Sequence, residues 1–154
     1  MAFPNSVTSK LRMQSGVIGE VSHAGPKRAR TAIVNTEVET NNVFGRAFTF
    51  DDMAVESVKA GGEGVFAGIL INPKAYALTE WNGVFNGSIG EFLDMGEIYV
   101  EIEGAEAGQI GAVVNYNADG SLTLGEGTAI PNCVLERHLP SQETPNLCVI
   151  RLTN

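Results

Sequence analysis

Apolar and polar residues alternate most clearly in the segment EIYVEIEG, residues 97–104. Successive side chains of an extended chain point to opposite faces, so this alternation predicts a half-buried strand with an acidic outer face. The apolar face would hold Ile98, Val100 and Ile102, and the outer face Glu97, Tyr99, Glu101 and Glu103.

The most apolar stretch is GVFAGILINPKAYAL, residues 64–78. A membrane-spanning helix needs about 18–20 apolar residues, and this stretch is interrupted by Asn72, Pro73 and Lys74. We therefore predict a central strand that is covered on both faces near Ile69 and that ends before Pro73. Gly68 would mark a bulge or a close approach of another segment. The predicted strand residues are Val65, Phe66, Ile69, Leu70 and Ile71.

Further segments have the composition of strands: VFGRAFTF (43–50), QIGAVVNY (109–116), AIPNCVLE (129–136) and LCVIRLTN (147–154). Asp119 and Gly120 form a favourable hairpin turn. Residues 49–62 fit either a short helix or a turn and a strand, and residues 72–81 fit one helical turn. These patterns predict an all-β fold: a compact barrel or sandwich of short, mostly antiparallel strands, with an extended N-terminal arm and at most one short helix.

Length and composition indicate one globular domain, with 154 residues and an apolar fraction of 44%. Charge divides the chain into two parts. Residues 1–30 contain five basic residues and one acidic residue, whereas residues 31–154 contain five basic and seventeen acidic residues. We therefore predict a basic extended arm over residues 1–30 and a β-rich body over residues 31–154.

The N-terminus lacks the apolar core of a signal peptide, so we expect synthesis in the cytosol.

The arm combines apolar and basic side chains, which favours a segment that orders on another protein. Docking on an acidic protein surface and a solvated loop are both open interpretations. Nucleic acid is disfavoured as a partner, because phosphate would repel the acidic body and no aromatic residues interleave the basic ones. The candidate contact residues in the arm are Phe3, Lys10, Arg12, Lys27, Arg28 and Arg30.

Residues suited to catalysis or metal binding are few. We expect Cys133 and Cys148 to be reduced thiols, with a disulfide across neighbouring strands as the alternative. His23 and His138 have no paired-ligand spacing. The segment GGEGVFAG, residues 61–68, lacks the lysine and the Ser/Thr of a phosphate-binding loop, so we interpret it as a tight turn before a buried strand.

Carboxylates occur at Asp51, Asp52 and within residues 101–106, and a metal or glycosidase site would need two of them in one cleft. The predicted strand instead places Glu101 and Glu103 on a solvent-facing side, so we do not expect them to be catalytic. The sequence therefore predicts no catalytic residue, no metal and no cofactor. Trp81, the one tryptophan, lies in the turn-rich segment TEWNGVFNG. It is a candidate anchor for a partner or a sugar, and sealing one end of a barrel is the alternative.

Several segments in succession resemble the cement (decoration) proteins of tailed-bacteriophage capsids. They are SGVIGEVSHAGPKRARTAIVN near the N-terminus, then GVFAGILINPKAYAL, NGSIGEFLDMGEIYVEIEG, GQIGAVVNYNADGSLT and a final CVIRLTN. The resemblance is one of strand order and glycine positions over roughly residues 60–154 and the N-terminal segment. It carries no catalytic signature, and it transfers no site residues.

The resemblance implies a structural virion protein that binds the outer surface of an icosahedral capsid and bridges neighbouring capsomers. The implied partners are the major capsid protein and further copies of the chain, with a trimer favoured and a dimer as the alternative. Nucleic acid and membrane are not among the expected partners. The protein would be made in the host cytoplasm and reside in the virion.

Two other functions are kept as alternatives. The first is a carbohydrate- or receptor-binding β-module on a virion surface, with Trp81 and Tyr99 as a stacking platform. The second is a small β-barrel hydrolase, which would require a cleft in which carboxylates converge.

Overall fold

A computed structural model of the protein describes residues 16–22, 25–73, 81–140 and 144–153. This part of the chain contains nine strands and two 3₁₀ turns, Glu39–Asn41 and Ala107–Gln109, and no α-helix. The all-β prediction is therefore confirmed. The strands are β1 Arg28–Val34, β2 Ala47–Asp52, β3 Ser57–Ala60, β4 Phe66–Leu70, β5 Ile89–Glu101, β6 Val113–Tyr116, β7 Leu122–Leu124, β8 Thr128–His138 and β9 Leu147–Thr153.

The first five strands form a closed barrel. Their order is β1-β3-β2-β4-β5, and a second pairing between β1 and β5 closes the ring. All of these pairs are antiparallel except β1 with β3. Residues 49–62 contain most of the hairpin of β2 and β3. Of the two interpretations of this segment, the turn and strand is therefore correct and the short helix is wrong. The barrel core is made of Ala32, Val34, Phe44, Phe48, Val58, Ala60, Ala67, Leu70, Val84 and Phe92.

The remaining strands extend the sheet from the far part of β5, in the order β5-β9-β8-β6-β7. Asp119 and Gly120 lie in the tight turn between β6 and β7, as predicted. An isolated parallel bridge joins Leu122 of β7, the strand at the end of this order, to Ile102, which directly follows β5. A second core lies in this part and includes Ile98, Val100, Ile102, Val114, Tyr116, Ile130, Leu135, Ile150 and Leu152, with Ala47, Ile69 and Leu93 from the barrel strands.

Strand β5 belongs to both parts of the fold. Its first half pairs with β1 and β4, and from Met95 onward it pairs with β9. The apolar face predicted for Ile98 and Val100 is confirmed, since both are fully buried. The strand nevertheless begins at Ile89, eight residues before the predicted segment. Its first half shows no alternation because Phe92 packs in the barrel core and its neighbour Leu93 packs in the second core.

The predicted central strand corresponds to β4, which ends at Leu70, before Pro73. Ile69 and Leu70 are fully buried, as predicted. Gly68 serves both purposes proposed for it. The register with β2 shifts beside it, and a Cβ atom at this position would lie 2.8 Å from the Cβ of Phe92. The assignment of Val65 was wrong, because Val65 precedes the strand and is 61% exposed. Ile71 is buried but follows the last residue of β4.

Both cysteines are reduced and buried in the second core, as expected. They do not face each other, because Cys133 on β8 is opposite Leu152 and Cys148 on β9 is opposite His138. Burial raises the pKa of Cys133 to about 12 and that of Cys148 to about 11. The thiols are therefore protonated and unreactive in the folded protein.

The segment of residues 16–22 lies along the second half of β5. Val21 bridges to Ile98, and the Gly19 N–H donates to the Tyr99 carbonyl oxygen at 2.7 Å. This segment corrects one prediction. Tyr99 was expected to face solvent, but it packs with Leu147, Val149 and Ile18 and is only 6% exposed.

Candidate functional site

Two arginines of the basic segment bind a buried carboxylate. Arg28 and Arg30 lie on β1, and their guanidinium groups contact the two carboxylate oxygens of Asp94 at 2.9 and 3.0 Å. Burial alone would raise the pKa of Asp94, but the hydrogen bonds and charges of the two arginines hold that pKa below its ordinary value. Arg30 also lies over the ring of Phe50, 5.2 Å from its centre. The two arginine side chains remain about half exposed.

The boundary predicted between arm and body, at residue 30, falls inside β1. Arg28 and Arg30 are therefore part of the sheet, where two positive charges meet the single negative charge of Asp94. Lys27 is exposed just before β1. The other candidate arm residues, Phe3, Lys10 and Arg12, lie outside the described residues, as does His23.

Trp81 forms an aromatic pair with Phe85. Their rings meet edge to face with centres 5.1 Å apart. Trp81 is partly buried, and Phe85 is 55% exposed. The structure thus places the predicted anchor beside a second ring that sequence reasoning missed. The signal was available, because two Asn-Gly dipeptides, at residues 82–83 and 86–87, mark tight turns on either side of Phe85.

Asn86 fixes the loop that presents this pair. Its side-chain oxygen accepts hydrogen bonds from the Thr36 N–H and from Asn42 Nδ2, both at 2.9 Å. Its side-chain nitrogen donates to the Thr36 carbonyl oxygen at 2.8 Å, and its backbone N–H donates to Glu39 at 2.9 Å. Asn86, the residue after Phe85, thus forms four hydrogen bonds with Thr36, Glu39 and Asn42, and these fix the backbone next to Phe85. The pair is therefore preorganised for contact, which lowers the entropic cost of binding.

Exposed apolar side chains also cluster at one end of the barrel, a feature that the sequence did not reveal. Ile33 on β1 lies directly opposite Ile89 on β5 and beside Ser57 on β3, just after the turn that joins β2 and β3. That turn carries Met53 and Val55. We name these four residues, Ile33, Met53, Val55 and Ile89, the barrel-end patch; their exposed fractions lie between 43% and 62%.

Acidic side chains do not assemble a catalytic or metal site in the described part of the chain. Asp51 and Asp52 are exposed at the end of β2, and Glu101 and Glu103 are exposed near the end of β5. Glu106 caps the second 3₁₀ turn together with Gln109. No group of three or more His, Cys, Asp or Glu residues suited to a metal ion occurs among the described residues.

The glycine-rich segment 61–64 is a turn between β3 and β4. The Gly61 N–H donates to the Ala47 carbonyl oxygen at 2.9 Å, and the Thr49 hydroxyl contacts the Gly61 carbonyl oxygen. A Cβ atom on Gly61 would lie 2.3 Å from the Ala118 carbonyl oxygen, in the turn between β6 and β7. Glycine is therefore required here for close packing between the two parts of the fold.

Comparison with known proteins gives the family. The sequence model of the family described as structural cement protein (E217 gp24/Pam3 gp6) matches residues 3–153. The chain belongs to the phage structural cement protein family. The resemblance inferred from the sequence is thereby confirmed, and the chain is a structural protein of the bacteriophage capsid.

A solved structure has the same fold. A chain in the structure titled "The capsid of Myoviridae Phage XM1" superposes with a TM-score of 0.65 at 20% sequence identity, covering 100% of this chain and 99% of the other. A search among curated proteins found no match. Within the described ranges, no helix has the length and apolarity required to cross a membrane.

Proposed function

We propose that this cement protein binds the outer surface of an icosahedral phage capsid and bridges neighbouring capsomers, so that the shell resists expansion forces and rupture. The observation that carries the proposal is the family match over residues 3–153, which includes the N-terminal arm as well as the body. The protein would be made in the host cytoplasm and added to the outside of the shell. Its partners are the major capsid protein and further copies of itself.

Weak contacts suffice for this function if they are multiple. An oligomer that touches several capsomers gains attachment through effective concentration, without a strong individual contact. Cyclic symmetry would match the local axes of the shell. We favour a trimer at three-fold positions, with a dimer at two-fold positions as the alternative.

The contact residues that we propose fall into two groups. The arm contributes Phe3, Lys10, Arg12 and Lys27, and the start of β1 contributes Arg28 and Arg30, whose side chains are about half exposed. The second group is the Trp81–Phe85 pair, because partly exposed aromatic rings on a fixed loop are the usual anchors of protein interfaces.

The alternatives have less support. The glycan-binding interpretation proposed two stacking rings, and Tyr99 is buried under Ile18 and Leu147. The hydrolase interpretation needs converging carboxylates, and those named from the sequence lie apart on exposed ends of strands and turns.

Sedimentation with expanded, undecorated phage shells tests the proposal. We expect saturable binding of the full-length protein, and a loss of affinity of about tenfold or more for Phe85→Ala and Trp81→Ala, as for anchor residues in other interfaces. Ile110→Ala is the matched control, because Ile110 is 54% exposed at a different place on the body. Absence of saturable binding by the full-length protein would contradict the proposed function.

A further inference from the structure

The barrel-end patch has the properties of a binding surface. Ile33 and Ile89 are directly paired across β1 and β5, so their side chains lie side by side on the outer face of the barrel. The Ile33 N–H donates to the Glu56 carbonyl oxygen at 3.0 Å, which brings the turn with Val55 next to the same face. Clustered apolar side chains on a surface, rimmed by polar ones, mark sites of interaction.

The rim of the patch is acidic. Asp51, Asp52 and Glu56 flank Met53 and Val55 along the turn, and all three are exposed. Glu91, two residues beyond Ile89 on β5, is exposed as well. Two basic residues lie near this rim: Lys59 is 3.8 Å from Asp51, and Arg30, whose guanidinium lies over the ring of Phe50, is paired with Asp94. The surface therefore selects a partner that carries both apolar and basic side chains.

Residues 1–15 of the chain have this composition. They contain Phe3, Val7 and Leu11 as large apolar residues, Lys10 and Arg12 as basic residues, and no acidic residue. Lys10 and Arg12 lie on either side of Leu11, so apolar and basic groups alternate within one short segment. The segment is thus complementary to the barrel-end patch in both hydrophobicity and charge.

The position of residue 16 indicates which copy of the chain supplies the segment. Residues 16–22 run antiparallel to β5, with Val21 opposite Ile98, so Gly16 lies beside the end of β5 that is distant from Ile89. Ile89 is ten residues before Tyr99 on β5, roughly 33 Å at about 3.3 Å per residue. Fifteen extended residues span at most roughly 50 Å. The five residues from Leu11 to Gly16 span at most roughly 18 Å, so Leu11 and Arg12 are too close to Gly16 in sequence to reach the patch of their own chain.

We propose that residues 1–15 of one copy bind the barrel-end patch of a second copy, with Leu11 and Phe3 on the apolar side chains and Lys10 and Arg12 on the acidic rim. Repetition of this contact around a ring links the copies into a closed oligomer. The proposal goes beyond capsid binding and does not depend on it.

Disulfide trapping between two different single variants tests the proposal. Full-length Phe3→Cys is mixed with full-length Ile89→Cys, and the disulfide-linked heterodimer is followed by mass. A link between these two variants forms only between copies, because each copy carries one of the two new cysteines. Cys133 and Cys148 do not interfere, since both are buried in the second core.

We expect the heterodimer to form about tenfold or more faster than in a control mixture of Phe3→Cys with Ile110→Cys, because docking raises the effective concentration of the two thiols. Lys10→Glu combined with Arg12→Glu in the Phe3→Cys chain should remove the acceleration. Adding Asp51→Lys, Asp52→Lys and Glu56→Lys to the Ile89→Cys chain should restore it.

Equal rates in the Ile89 and Ile110 mixtures would overturn the proposal. So would an intramolecular disulfide that dominates when Phe3→Cys and Ile89→Cys are combined in one chain, because the segment would then bind its own body. No shells are present in these experiments. A failure here therefore leaves the proposed capsid function untouched, and a failure of shell binding leaves the contact between copies untouched.

Discussion

At the scale of single residues, the carboxylate of Asp94 accounts for the role of two basic residues, Arg28 and Arg30, which bind it. Asp94 is 64 and 66 residues away in sequence from the two arginines that bind it. Its burial is tolerated because both of its oxygens accept hydrogen bonds from guanidinium groups. Sequence reasoning interpreted Arg28 and Arg30 as parts of a free arm, since nothing local to them reveals Asp94. The partner of a buried charge is set by strand pairing, which is a long-range property.

Replacement of Asp94 by asparagine should lower the free energy of unfolding at neutral pH by about 1.5–3 kcal/mol, because two charge-assisted hydrogen bonds are weakened. The pKa of Asp94 is lowered in the folded protein. Its contribution is therefore fully present above the unfolded-state pKa of about 3.9 and is lost as the pH falls through the lower folded-state pKa. Denaturant titrations at several pH values measure both effects.

The difference between wild type and Asp94→Asn should shrink in the acid range. The Asp119 carboxyl, whose pKa is lowered too, contributes equally to both proteins and does not obscure it. Asp51→Asn is the control, because Asp51 forms a surface ion pair at 3.8 Å with Lys59, and such pairs contribute about 0–1 kcal/mol. A difference between wild type and Asp94→Asn that stays constant down to the lowest pH would contradict the assigned ion pair.

At the scale of elements, the apolar run of β4 and the alternating second half of β5 were predictable, and the first half of β5 was not. The alternation of Ile98, Val100 and Ile102 identified the second half of β5. Its first half was missed because Phe92 and Leu93 are buried on opposite faces, in different cores. Tyr99 was wrongly predicted to face solvent, because the segment that covers it, residues 16–22, is far away in sequence. The barrel-end patch was equally hidden, since it depends on the pairing of Ile33 with Ile89.

Truncation of Ile69 tests the position assigned to β4. Ile69 is fully buried in the second core, between strands β2 and β5. We expect Ile69→Ala to lower the free energy of unfolding by about 2–5 kcal/mol, through lost burial and the cavity that remains. Val65→Ala, four residues before Ile69 and near the start of the same apolar stretch, is the control and should change the free energy of unfolding by less than about 0.5 kcal/mol. A loss under about 1 kcal/mol for Ile69→Ala would show that Ile69 is not a core residue.

At the scale of the whole molecule, charge separates the body from its arm. The formal net charge of −8 of the whole chain favours repulsion between copies of the protein. In the contact between copies that we propose, the basic and apolar N-terminal segment links one body to the next. The all-β fold class and the cement-protein resemblance could be recognised from the sequence, and the order of the strands in the sheet and the surfaces by which copies meet each other or the shell could not.

The central claim is that the protein stabilises the shell, and thermal rupture of phage capsids measures this most directly. Expanded shells filled with DNA are heated with increasing amounts of the protein, and the temperature at which a dye reaches the DNA is recorded. We expect the rupture temperature to rise and to level off when the binding sites are full, as for any ligand that binds the intact state in preference to the broken one. Saturated binding without a rise in rupture temperature would contradict the claim and leave a protein that decorates the shell without cementing it.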